Sequence, residues 1–256
     1  MSEKKLVKVM FCVPNEGHTL PEAYDNRLVF ASHIGILQMA SKLGIKEIDG
    51  QKLSYPDDVE FQFSWGTVGR VLTPLARERL TEWAIQGGMD YMCMIDDDMI
   101  IPVDMFERLY RHGVDIVAAL AFSRNPPHFP VIYRVDEGYD PLKAQEYYIT
   151  RRVENYPKNI LLECDAVGFG AVLINMNVVR RMAKPWFMST TESGEDIWFC
   201  KKAREVGARV FMDTALKLGH LGYPPIITEE DFERTNDNAK FRETFGEWQK
   251  TPVGAK

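Results

Sequence analysis

The chain has 256 residues, 45% of them hydrophobic, which is enough to bury a substantial core as one large domain or two closely packed ones, and this excludes a disordered chain. A formal net charge of −6 argues against broad electrostatic capture of nucleic acid or anionic membrane, although Arg151-Arg152, Arg180-Arg181 and Lys201-Lys202 leave room for a local basic patch. No apolar run approaches the roughly 18 residues that span a bilayer, and Met1-Ser2-Glu3-Lys4-Lys5 leads into a strand-like run without a signal-peptide core, so a soluble, cytoplasmic protein is expected. The scattered cysteines Cys12, Cys93, Cys164 and Cys200 lack CxxC spacing and read as small core residues, with neither a disulfide framework nor a zinc site.

In chain order, Leu6 to Val13 reads as a buried strand closing at Pro14, and Asn26 to Leu43 has helical apolar spacing that Gly44 stops. Val59, Phe61 and Phe63 alternate with polar residues, as in a half-buried strand. Thr73-Pro74 opens a helix with an apolar face of Leu75, Leu80 and Trp83, ending at Gly87-Gly88. A strand from Tyr91, a helix through Phe106 and Leu109, and a strand from Asp115 to Phe122 complete a β-α-β-α-β-α-β order. That order predicts an α/β fold with a doubly wound, mainly parallel sheet. After Asn125, prolines and the short segments Val131 to Arg134, Tyr147 to Val153 and Ile160 to Glu163 predict a strand-rich excursion, which ends at Gly168-Phe169-Gly170 and a strand from Ala171 to Ile174.

Three stretches carry chemistry. The apolar run Tyr91 to Ile95 stops at Asp96-Asp97-Asp98, placing adjacent carboxylates at a strand's carboxyl end, where open α/β sheets bind ligands. Three adjacent carboxylates repel one another and call for a positive partner, and Mg2+ or Mn2+ joins such oxygens to phosphates. The plainer alternative is an acidic turn capping the helix after Pro102. Glu192-Ser193-Gly194-Glu195-Asp196 has the capping serine and early acids of a helix start. His220, between Gly219 and Gly222 in a glycine-rich loop after the strand Arg209 to Asp213, is either structural or a metal ligand.

The order of Pro14-Asn15, Ala76-Arg77, Ile95-Asp96-Asp97-Asp98, Gly194-Glu195-Asp196 and His220 resembles the glycosyltransferases of the GT-A fold, family 2-like members with a DxD motif, over Val7 to Gly222. The resemblance implies one GT-A-like domain over 1–256, with a nucleotide-sugar-binding half at 1–124, an acceptor and catalytic half at 125–228, and a tail at 229–256. It also implies that Asp98 binds Mn2+ or Mg2+, with Asp96 and His220 as further ligands. Asp96 and Asp97 would meet the nucleotide together with Pro14, Glu16 and Arg77, and Gly168 and Gly170 would bring backbone to the donor. Asp196, or second Glu195, matches the catalytic base of inverting members.

The implied activity is transfer of a sugar from a nucleoside-diphosphate sugar, most often a UDP-sugar, to an acceptor hydroxyl. Acceptor classes left open are polysaccharide, protein, small molecule and modified nucleobase. Two alternatives stand beside it. A nucleotidyltransferase would usually show a glycine-rich phosphate loop, whereas Pro14-Asn15-Glu16-Gly17-His18 has one glycine. A non-catalytic nucleotide- or carbohydrate-binding protein would bind without turnover. Core packing is the expected role of Trp186, Phe187 and Trp198, while Asp165 is a candidate for a sugar hydroxyl.

Overall fold

The computed structural model describes residues 4–15, 17, 19–135, 150–190, 193–222 and 226–236. The first half contains β1 (Lys5–Asn15), α1 (Pro21–Leu43), β2 (Glu47–Ile48), β3 (Gln51–Lys52), β4 (Val59–Gly69), α2 (Thr73–Gln86), β5 (Tyr91–Ile95), β6 (Met99–Ile100), α3 (Met105–Arg111) and β7 (Ile116–Leu120). Then follow β8 (Ile132–Val135), β9 (Thr150–Arg152), β10 (Leu161–Cys164), β11 (Ala166–Val167), β12 (Ala171–Asn175), α4 (Met176–Arg181), α5 (Glu195–Glu205), β13 (Val210–Lys217), β14 (Gly219–Leu221), β15 (Ile226–Ile227) and α6 (Glu229–Asn236).

A 7-stranded sheet in the order β10-β13-β7-β12-β5-β1-β4 forms the middle layer. Strands β1, β4, β5, β7 and β13 point one way, and β10 and β12 run against them, so the sheet is mainly parallel, as expected. Alternation of side chains along each strand builds a core on both faces. Val9, Phe11, Cys93 and Ile95 face the layer of α1 and α3, while Met10, Cys12, Met92 and Met94 face that of α2 and α5. All four cysteines are buried and unbridged. No described helix is long and apolar enough to cross a membrane.

Several local expectations need correction. The segment at Leu161 does not belong to the excursion but pairs antiparallel with β13 as an edge of the main sheet. The excursion keeps β8, β9 and β11, which form a separate 3-stranded sheet. In α2, Leu80 is fully buried, but Leu75 and Trp83 are 50% and 44% exposed. The inward face is Ala76, Arg77, Leu80, Thr81 and Ala84, because small residues let the helix lie close to the sheet and leave a channel for one long cationic side chain. The helix α4 was not foreseen, and Asn175 caps it by accepting from the Asn177 amide at 3.0 Å. Phe232 anchors α6 by stacking on Phe122 at 5.6 Å between ring centroids, while Phe241, Phe245 and Trp248 of the tail lie outside the described residues.

Candidate active site

Because β1, β4 and β5 are parallel, their ends at Asn15, Gly69 and Ile95 lie on one edge of the sheet. The chain passes from β1 outward to β4 through α1, then back across β1 to β5 through α2 on the opposite face. That reversal opens a crevice between β1 and β5 at their carboxyl ends, the usual ligand position in such sheets. A cleft of about 410 Å³ occupies it, and Pro14, Arg77, Asp96, Asp97, Asp98, Glu195 and His220 all line it.

The acidic triplet is held by its backbone. The Asp96 amide donates to Gly170 O at 3.0 Å, and Arg27 Nη2 donates to Asp97 O at 2.8 Å. The Leu221 amide donates to Asp98 O at 2.9 Å. The triplet therefore does not cap α3, since β6 intervenes and pairs with β14 in the register His220↔Met99. His220 thus sits on a short strand and not in a loop. Its glycine neighbours serve packing: a Cβ at Gly219 would meet Ile226 Cγ2 at 2.8 Å, and one at Gly222 would meet Arg124 Cγ at 2.8 Å.

This pairing carries the imidazole to the acids. His220 Nε2 lies 3.1 Å from Asp98 Oδ2, and Nδ1 lies 2.6 Å from Phe122 O, a backbone acceptor that orients the ring. Arg124 closes on the same carboxylate oxygen. Burial pushes the Asp98 carboxyl up, but the hydrogen bonds and charges of His220 and Arg124 outweigh it and hold the group below the ordinary carboxylate value. Burial likewise lowers His220, yet the Asp98 bond prevails and leaves the imidazole raised.

Arg77, 3% exposed, joins two acids from distant parts of the chain. Its Nη2 donates to Asp96 Oδ1 at 2.8 Å, and its Nε lies 3.3 Å from Glu195 Oε1 without the alignment of a hydrogen bond. The guanidinium also lies 5.1 Å from the centre of the Phe169 ring. Asp96 keeps 28% of its side chain open to the cleft, yet its surroundings raise it to about 7, first through burial, against the Arg77 charge and with the help of Asp98, Glu195 and Asp196. Asp196 is raised to about 6, again first by burial and then by Glu195, with Arg77 and the Ile197 amide opposing. Ser193 does not cap α5, whose N-cap is Gly194.

Of the remaining sequence candidates, Asp196 adjoins Glu195 but does not itself line the cleft, and Gly170 meets the acidic triplet through its carbonyl, which accepts from the Asp96 amide. Gly168 and Gly170 do not line the cleft: a Cβ at Gly168 would meet Val131 Cβ at 2.7 Å, and one at Gly170 would meet Met99 Sδ at 3.1 Å. Asp165 accepts from the Val135 amide at 2.8 Å and pairs with Arg204 at 2.8 Å, which makes it a fastener of β8 and α5. Trp186 and Phe187 are buried in the core. Glu16 lies outside the described residues. Sequence reasoning missed Asn15, Thr73, Arg124 and Asn125, which also line the cleft. For Arg124 a signal existed, a cation just past a buried strand that lies two strands from the one ending in Asp96-Asp97-Asp98.

Among the described residues no three His, Cys, Asp or Glu side chains converge on one point. In the cleft Asp98 and His220 converge as a pair that offers one hard oxygen and one imidazole nitrogen. Such a pair fits Mn2+ or Mg2+ bound by two protein ligands, with water and phosphate oxygens completing the shell.

No protein-family model matches the chain, and no curated protein matches its sequence. Among solved structures it is similar to GalNAc-T7 with UDP, GalNAc and Mn2+, at a TM-score of 0.51 and 13% identity, over 99% of this chain and 53% of that one. It is also similar to A197 from STIV, at a TM-score of 0.48 and 16% identity over 87% and 93% of the two chains. The catalytic domain of Drosophila beta1,4galactosyltransferase 7 in complex with xylobiose gives 0.36 and 16% over 81% and 65%. The chain thus spans about half the length of the GalNAc-T7 chain. At these identities the likeness shows the fold, which is GT-A-like, an α/β architecture around a large, mainly parallel sheet.

Proposed function

We propose that the protein is a metal-dependent glycosyltransferase that moves a sugar from a nucleoside-diphosphate sugar, a UDP-sugar first among them, to an acceptor hydroxyl. The observation that carries this reading is the meeting of Asp98, His220 and Arg124, from three segments far apart in the chain, in the cleft where a GT-A-like sheet reverses its order. In this reading Asp98 and His220 hold Mn2+ or Mg2+, which would supply positive charge against that developing on the diphosphate leaving group. Arg124 turns from Asp98 to a phosphate oxygen, a contact its planar guanidinium makes with fixed geometry. Pro14, Asn15 and Thr73 line the nucleotide side, and Arg77 keeps Asp96 pointed at it.

Asp196 takes the acceptor hydroxyl's proton in a single displacement with inversion, and its raised proton affinity suits that task. Glu195, beside Arg77, is the second choice for the base and otherwise an anchor for the guanidinium. The donor half is assigned to 1–124, the acceptor half to 125–228 and the tail to 229–256.

Thermal shift of the purified chain against UDP, GDP, CDP and ADP, each with and without Mn2+, tests the reading. One diphosphate at about 100 times its Kd should raise Tm by about 5–10 °C, and only with the metal. No shift with any of them would overturn it.

A further inference from the structure

The helix α1 is apolar on two sides. Ala23, Phe30, Ile34, Leu37 and Ala40 are buried on the side that faces the sheet. On the outer side, Tyr24, Leu28, Val29, Ile36, Met39 and Leu43 are between 44% and 63% exposed. A surface helix ordinarily turns polar residues outward, and a folded monomer rarely leaves an apolar patch of more than a few hundred Å² open. The outer side of α1 thus has the composition of a surface that is meant to be covered.

Its spacing points to what covers it. Tyr24, Leu28, Ser32, Gly35, Met39 and Leu43 follow one another at steps of four, four, three, four and four residues, which keeps them on a single stripe of the helix. That stripe matches itself when a second copy is laid across it antiparallel. Tyr24 then meets Leu43, Leu28 meets Met39, and Ser32 meets Gly35, with the two-fold axis between positions 33 and 34. The smallest residues fall at the centre: a Cβ at Gly35 would meet nothing within 4 Å, and the Ser32 hydroxyl is engaged with Leu28 O at 2.8 Å. Two helix axes can therefore approach to about 8 Å at that point.

The charges agree with that direction. Glu22 and Asp25 are exposed at the N-terminal end of α1 and Lys42 at its C-terminal end, where Lys4 donates to Lys42 O at 3.3 Å. An antiparallel pair brings acids to lysines at both ends, whereas a parallel pair would oppose like charges. The 23 residues of α1 make a face about 34 Å long and about 10–12 Å wide, so two such faces hide on the order of 1,000 Å² in all, the size at which specific interfaces begin. The acids on this side and the net charge of −6 do not suit an anionic membrane. We propose that α1 is the interface of a symmetric dimer, in which two copies of the chain pack their α1 helices antiparallel across Ser32 and Gly35. None of these side chains lines the cleft, so the dimer is independent of the chemistry assigned there.

Sedimentation of the full chain from about 1 to about 300 µM tests this. An interface of this size is a weak one, so monomer should give way to dimer within that range. Leu28→Glu, at an exposed position, sets a carboxylate against Met39 twice in the dimer and should raise its dissociation constant about 10-fold or more. Positions 28 and 39 of one helix are about 17 Å apart, too far for a disulfide, so Leu28→Cys combined with Met39→Cys can bridge only between copies. With the native cysteines buried, mild oxidation of this double variant should give a covalent dimer, and Leu28→Cys alone should not. A native chain still monomeric at about 300 µM, a dimer that survives Leu28→Glu unchanged, or bridging by Leu28→Cys alone would each overturn the proposal. In such a monomer, a Leu28→Cys thiol closed to a water-soluble reagent would mark another segment of the same chain as the cover of α1, and an open thiol would mark a free face.

Discussion

His220 Nε2 stands 3.1 Å from Asp98 Oδ2 across a sequence separation of 122 residues, and a short strand pairing makes the meeting possible. The imidazole is further fixed by the Phe122 carbonyl, and Arg124 shares the carboxylate. A negative centre is thus prepared at the cleft with its counter-charges in place.

Replacing Asp98 by Asn removes the charge on which this centre depends. Turnover of a UDP-sugar should fall on the order of 100-fold or more, as when one charge-stabilising group is lost from a transition state. The Mn2+-dependent part of the thermal shift should disappear with it. Near-normal Mn2+-dependent turnover in this variant would refute the metal assignment.

Arg77 lies between Asp96 and Glu195, and truncating it leaves two crowded carboxylates facing each other. Loss of one member of a buried ion pair costs about 3–5 kcal/mol, and the lower end applies here because Asp96 keeps contact with solvent. Urea unfolding of Arg77→Ala should therefore show a loss of about 3 kcal/mol. A lysine at this position should recover only part of it, since a single ammonium cannot address both acids. A loss under about 1 kcal/mol in Arg77→Ala would show that the guanidinium holds nothing together.

The raised proton affinity of Asp196 gives a pH signature. With its carboxyl at about 6 in the folded protein and 3.8 as its ordinary value, the folded state holds this proton more tightly than the unfolded chain. Stability from this group is therefore present below pH 4, declines as pH rises through about 6, and is level above. Asp196→Asn should flatten that decline in melting curves recorded across the window. If Asp196 is the base, the same variant should lose about 100-fold or more in turnover, and the native enzyme should lose activity below about pH 6. Turnover within a few-fold of the native value would move the role to Glu195.

Gly168 tests a packing claim that is independent of function. A methyl group there would sit 2.7 Å from Val131 Cβ, a branched side chain with little room to yield. Gly168→Ala should destabilise by about 1–3 kcal/mol, and Val131→Ala in the same chain, which keeps Cβ but removes the γ-methyl groups at 2.8 and 3.2 Å, should return part of it. Additive losses in the double variant would show that the two positions do not press on each other.

Much of the architecture was legible because it rests on local rules. The run Tyr91 to Ile95 ending in acids, the Thr73-Pro74 helix start and the Gly44 stop each follow from period and capping, and β5, α2 and α1 obey them. Where packing decides, local rules misled. Leu75 and Trp83 looked like the inward face of α2, but the close approach of that helix to the sheet favours Ala76, Leu80 and Ala84. The glycines Gly168 and Gly170 looked like places where backbone meets a donor, and a Cβ at either would press on a neighbouring side chain.

By itself the sequence determined the alternation of the main strands and helices from β1 to β7 and the acids at the end of β5, because alternation, caps and charge are properties of short segments. Only the tertiary structure decided that Arg124 joins Asp98 and His220, that Arg77 links Asp96 to Glu195, and that Glu107 on α3 meets His33 on α1. Those relationships depend on strand order, register and helix approach, which arise from contacts between distant segments and leave no periodic trace in any one of them.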